Sequence, residues 1–163
     1  MAIFGRFDER ARKAIDSARG SAMSLRQKVI GTEHLLCGLL KEARADAPGL
    51  PRNLTLASVQ YTIAQLTSQE AVAPQMLELS PRMKRALEEA VLEAQRLGTP
   101  SVTPAHLWLA LLNLDDSTAV RVLNILGCDV ERIRQSVIEA LASPEGKEDG
   151  EGDSMLRKYS RDL

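Results

Sequence analysis

Few side chains in this sequence are of types that do chemistry, and the most suggestive are two histidines, His34 and His106, 72 positions apart. The first sits in Gly31-Thr32-Glu33-His34-Leu35-Leu36 and the second in Thr103-Pro104-Ala105-His106-Leu107-Trp108. A metal centre or an acid–base pair needs further ligands or partners at fixed spacing. Only Glu33 stands beside His34, and Ala105 takes its place beside His106. Each histidine therefore reads as a residue of a first helical turn, packed between two halves, rather than as a ligand. Cys37 and Cys128 are too few for a disulfide framework or a zinc site. Cys37 aligns with Leu109 across the same 72-residue offset and reads as a small core residue. A phosphate loop is missing, because the only Gly-Lys pair, Gly146-Lys147, runs into Glu148. Neither a Gly-x-Ser-x-Gly elbow nor a His-Glu-x-x-His helix occurs. We expect no catalytic residue, no metal site and no enzymatic activity in this chain.

The spacing of the histidines belongs to a longer repetition. At the same offset Phe7 falls on Leu79, Arg10 on Arg82, Lys13 on Arg85, Ala14 on Ala86, Ala18 on Ala90, Ala22 on Ala94 and Leu25 on Leu97. An ungapped match from Phe7/Leu79 to Leu40/Leu112 marks a tandem duplication. The elements that must position the histidines are therefore two copies of one unit.

Those elements read as helices. Asp8 caps a first helix to about Leu25, with Phe7, Ala11, Ala14, Ile15, Ala18, Ala22 and Leu25 on one face. So many alanines let a neighbouring helix approach closely. Thr32 is expected to cap a second helix carrying Leu35, Leu36, Leu39 and Leu40. Pro48-Gly49 and Pro51 deny a helix at the next position, so the third helix of the first half is degenerate. Thr55 to Leu66 resumes the pattern, and residues 67–78 read as a connector between the copies. In the second copy Ser80-Pro81 is an N-cap followed by a first-turn proline, Gly98 stops the helix, and Thr103-Pro104 starts the next. Thr118 to Leu126 closes at Gly127, and Asp129 caps a last helix. No window alternates with period two. The expected fold is all-α: two tandem four-helix repeats related by a pseudo-twofold, at about 7–66 and 79–142, with Leu35, Leu39, Leu107 and Leu111 buried.

Composition adds bounds. At 163 residues and 44% hydrophobic, the chain can bury a sizeable core. No apolar run approaches the roughly 20 residues of a membrane span, and no signal peptide opens the chain. A cytoplasmic location is the expectation. Residues 1–142 carry 17 Lys+Arg against 16 Asp+Glu, without the basic excess of a nucleic-acid binder. Residues 143–163 carry 4 against 6, and the run from Ser143 to Asp153 has no apolar side chain to bury. It reads as an acidic flexible linker, with Met155 to Leu163 as the start of a further segment.

Phe4-Gly5-Arg6-Phe7 with Glu9-Arg10-Ala11, then Ile30-Gly31-Thr32-Glu33-His34-Leu35-Leu36 with Gly38-Leu39, resembles the amino-terminal domain of Clp chaperones, and most the ClpC branch. Arg161-Asp162-Leu163 is similar to the sequence before the first ATPase module of that branch. The resemblance covers residues 3–142. It implies a substrate- and adaptor-recognition domain of an AAA+ unfoldase that feeds a Clp-type peptidase. ATP and magnesium would serve the parent's ATPase modules, and the isolated domain would be a monomer. A free-standing helical adaptor without a motor is the alternative.

In ClpC-like domains each repeat can hold a phosphorylated arginine. The glutamate of the Gly-Thr-Glu-His turn engages the guanidinium, and the phosphate lies near the start of a repeat's first helix. The resemblance thus makes Glu33, Thr32, Ser80, Arg82 and Arg10 the candidate binding residues. This sequence departs from the pattern in both halves. Asp8 in the first places a carboxylate where a phosphate would sit, and Ala105 in the second removes the guanidinium partner. Grouped repeat by repeat, both pockets are expected to be impaired, with weak or no binding of phosphoarginine.

Overall fold

The computed structural model describes residues 6–66 and 78–142, so the connector at 67–77 and the run 143–163 lie outside the described residues. Seven α-helices build it: α1 Glu9–Ser24, α2 Thr32–Glu42, α3 Leu56–Leu66, α4 Pro81–Arg96, α5 Pro104–Asn113, α6 Thr118–Ile125 and α7 Val130–Ala142. Two two-residue strands, β1 Val29–Ile30 and β2 Glu78–Leu79, complete the order. None of the described helices is long and apolar enough to cross a membrane.

The 72-residue offset carries α1 onto α4 at both ends, and the start of α2 onto the start of α5. Asp8 caps α1 by accepting from Ala11 N at 2.8 Å, and Ser80 caps α4 by accepting from Met83 N at 3.0 Å. After each helix the chain turns through a left-handed residue, Arg26 at φ 58° and Gly98 at φ 72°. The position that α6 holds in the second repeat is taken in the first by a single 3₁₀ turn, Arg44–Asp46. Pro48 and Pro51 explain the loss, because each removes a backbone donor and blocks the preceding turn.

α2 and α5 are the central helices, with every residue of Thr32–Leu40 and Pro104–Leu112 buried. Leu35, Leu39, Leu107 and Leu111 are all fully buried. The alanine face of α1 lets α2 come close. A Cβ added at Gly38 would run into the Ala14 carbonyl and lie 3.0 Å from Ala18 N. Side chains also tie the repeats together: Trp108 Nε1 donates to Ala43 O at 3.0 Å, and Gly49 N donates to Ser136 Oγ at 2.9 Å.

Sequence patterning did not reveal the strands, and two residues are too few to show an alternation. They form no sheet core, but they set the relation between the repeats. β1 pairs with β2 in parallel, Ile30 opposite Leu79, while Phe7 bridges in parallel to Val102. The segment before the first helix of each repeat thus pairs with the turn before the second helix of the other.

Candidate functional site

The two histidine turns share one geometry. His34 Nδ1 accepts from Gly31 N at 2.8 Å, and His106 Nδ1 accepts from Thr103 N at 2.9 Å. Accepting at Nδ1 leaves the ring proton on Nε2. Both Nε2 atoms are buried without a hydrogen-bond partner. Burial lowers the His34 pKa to about 4 and lowers that of His106 as well, with nearby Glu93 and Asp8 opposing the second shift. Both imidazoles are therefore neutral helix-start acceptors, and among the described residues no cluster of three His, Cys, Asp or Glu can hold a metal. Cys37 is buried and its thiol is pushed up to about 11 by desolvation, which suits a core residue and not a nucleophile.

Thr32 does not cap α2, contrary to expectation. Gly31 is the N-cap and its backbone N–H is taken by His34, while Thr32 is the first helical residue. The Thr32 hydroxyl is buried and accepts from Ala119 N at 3.2 Å, which turns it toward α6 and away from a ligand. Glu33 is 8% exposed, and burial raises its pKa. Its carboxylate folds back over Gly31, where a Cβ would lie 3.0 Å from Glu33 Cδ. The ion pairs among the described residues leave Glu33 without a cation.

The arginines are occupied. Arg10 Nη2 contacts Asp46 Oδ1 at 3.2 Å, and Arg82 pairs with Asp116, whose pKa is lowered chiefly by that hydrogen bond. Both pairs are solvent-facing, with the arginines 54% and 50% exposed, so each is weak and exchangeable. Sequence reasoning missed Asp46 and Asp116. A signal was present, since each follows the second helix of its repeat at nearly the same offset.

The backbone pairing regroups the candidates. Ser80 N donates to Ile30 O at 3.0 Å, and α4 touches α2, so the start of α4 adjoins the turn that carries Glu33. Asp8 N donates to Val102 O at 2.9 Å, so the start of α1 adjoins the turn that carries Ala105. Grouping within each repeat, which set Glu33 with Asp8 and Ser80 with Ala105, is corrected by this crossover. One junction collects Glu33, Ser80 and Arg82; the other collects Asp8, Arg10 and Ala105.

Comparison with known proteins accords with this fold. The family model for the Clp repeat (R) N-terminal domain matches residues 6–100 and 78–162. The chain is 36% identical over 145 residues to the "Negative regulator of genetic competence ClpC/MecB" of Bacillus subtilis, covering 88% of this chain and 18% of that protein. The chain thus spans about a fifth of that curated relative's length. The N-terminal domain of the chaperone ClpD from Arabidopsis thaliana superposes with a TM-score of 0.71 at 27% identity, over 85% of this chain and 99% of that one. A ClpV N-domain in complex with a VipB peptide superposes with a TM-score of 0.63 at 20% identity, over 82% and 86% of the two chains. By the family model, the curated relative and the doubled helical architecture, this chain belongs to the Clp repeat N-terminal domain family.

Proposed function

We propose that this chain is the recognition module of a Clp-type AAA+ unfoldase, binding adaptor proteins and protein substrates for a parent ATPase ring and its peptidase partner in the cytoplasm. Recognition is by contact, and any ATP and magnesium belong to ATPase modules outside these 163 residues. The ClpV N-domain seen with a VipB peptide supports a peptide-binding role for this architecture.

Within that role, one junction suits an arginine-phosphate group on a substrate. The carrying observation is the crossover that sets Ser80 against the Glu33 turn. Glu33 is a buried carboxylate that no cation pairs with among the described residues, able to hold a guanidinium through two parallel hydrogen bonds. The start of α4 supplies backbone N–H groups and Arg82 for the phosphate. A ligand there must displace the exposed Asp116 from Arg82. The opposite junction lacks both features, because the Asp8 carboxylate that caps α1 through Ala11 N would repel a phosphate, and Ala105 offers no carboxylate. On this reading one junction is usable and the other is not.

Calorimetric titration with phosphoarginine is the test. It should give about one equivalent per chain, and Glu33→Ala should weaken binding about ten- to a hundredfold, as the loss of one charge-assisted contact implies. Asp8→Thr combined with Ala105→Glu should add a second equivalent. No binding by the unaltered chain would refute the arginine-phosphate reading and return recognition to protein surfaces alone.

A further inference from the structure

The backbone does not require a glycine at position 31. Gly31 has φ −106° and ψ −178°, an extended conformation open to any residue. Thr103, its counterpart 72 residues on, holds φ −106° and ψ 169°. Both turns close in the same way, the N–H at that position donating to the histidine three residues later. Close approach of another helix, which accounts for Gly38, does not apply either. A Cβ at Gly38 would meet the backbone of α1, whereas beyond its chain neighbours the three atoms nearest a Cβ at Gly31 all belong to Glu33. That Cβ would overlap Glu33 Oε1 and lie 3.0 Å from Cδ and 3.1 Å from Oε2. The Glu33 carboxylate thus fills the place that a side chain at position 31 would take. The duplication shows the converse. Where the second repeat carries a Cβ, at Thr103, the residue two positions on is Ala105, and no carboxylate needs the space.

We propose that Gly31 is the positioning residue of the Glu33 junction: its missing side chain is the seat of the carboxylate, and any side chain there would release it. Held in that seat, Glu33 is 8% exposed. Its two oxygens lie against the turn instead of sampling the rotamers of a free glutamate. A cation that pairs with them meets a carboxylate already ordered and largely stripped of water. Burial is also what raises the Glu33 pKa, so titration reports whether the seat is filled. The clash from a Cβ falls on the far end of a flexible side chain, which can rotate into solvent. A substitution at position 31 therefore moves the carboxylate and leaves the fold in place. That the seat serves binding rests on the arginine-phosphate reading; that Gly31 provides the seat does not.

Carbon-13 titration of the side-chain carboxyls in the full chain, with Glu33 assigned through Glu33→Gln, tests the seat. In Gly31→Ala the Glu33 pKa should fall back toward the ordinary carboxylate range. Gly31→Thr, which copies the other repeat, serves in its place if that variant fails to fold. The carboxyl introduced by Ala105→Glu should titrate lower than that of Glu33, and adding Thr103→Gly should raise it. An unchanged Glu33 titration in the Gly31 variant would overturn the proposal. Calorimetry with phosphoarginine reads the consequence. Gly31→Ala should weaken binding about tenfold, yet change it less than about twofold when added to Glu33→Ala. Equal weakening in both backgrounds would also overturn the proposal, because Gly31 would then act without Glu33. No binding by the unaltered chain would refute the arginine-phosphate reading alone, and the titration would still decide the seat.

Discussion

Acid should destabilise this domain through a histidine that never meets solvent. His34 is fully buried, its Nδ1 faces the Gly31 N–H, and its pKa is about 4 against an ordinary 6.5. Protonation places a second N–H on the ring opposite a backbone N–H, so the turn must break. The sign follows from the depressed value. Between pH 6.5 and 4 the unfolded chain binds a proton that the folded chain refuses, and stability falls as pH falls through that window. From pH 7 to about pH 4.5, His34 alone should remove about 2.5 kcal/mol. His106 adds to the loss, although Glu93 and Asp8 oppose its shift. Glu33 acts in the opposite direction, because burial raises its pKa and acid relieves the penalty of keeping it charged.

Urea unfolding of the unaltered domain and of His34→Asn, each at pH 7 and pH 4.5, isolates the histidine. Asparagine sets an oxygen where Nδ1 stood, keeps the bond to Gly31 and does not titrate. Its loss of packing should lower stability equally at both pH values. The wild-type decline between the two should exceed that of the variant by about 2 kcal/mol. Equal declines would refute the reasoning and mean that His34 is not the acid-sensitive group.

Other consequences can be read by the same unfolding assay. Leu39→Ala should cost about 2–5 kcal/mol, because Leu39 is fully buried on the central helix; a cost below about 0.5 kcal/mol would mean the wrong face has been assigned to the core. Arg26→Gly should stabilise by about 1 kcal/mol, since Arg26 holds a left-handed φ of 58° where the other repeat has Gly98. Gly38→Ala should cost about 1–3 kcal/mol through collision with the Ala14 carbonyl, even though alanine stands at the equivalent position 110. An unchanged midpoint for that variant would show that α1 can retreat from α2.

What could be read from the sequence was whatever the chain encodes locally. Asp8, Ser80, Gly98 and Gly127 punctuate helices through their own backbone preferences, and the observed ends follow them. The degenerate third helix was equally local, because Pro48 and Pro51 forbid it wherever they lie in space. Thr32 misled because a threonine before a leucine run imitates a cap, whereas His34 captures the Gly31 amide and α6 captures the hydroxyl. The grouping of the candidate site was beyond the reach of local signals. A duplication aligns Asp8 with Ser80 and Glu33 with Ala105, but it does not say which helix start meets which turn. That choice is made by two-residue parallel pairings between segments about 50 and 95 residues apart, Ile30 with Leu79 and Phe7 with Val102. Strands so short carry no periodicity, and their register depends on how the two cores pack. A pseudo-twofold built by exchange bears on the proposed site. Each junction draws one element from each copy, so departures in the two copies can fall together in one junction. On the proposed arginine-phosphate reading, the two departures, Asp8 at one helix start and Ala105 at one turn, fall in the same junction, and Glu33, Ser80 and Arg82 stand together in the other.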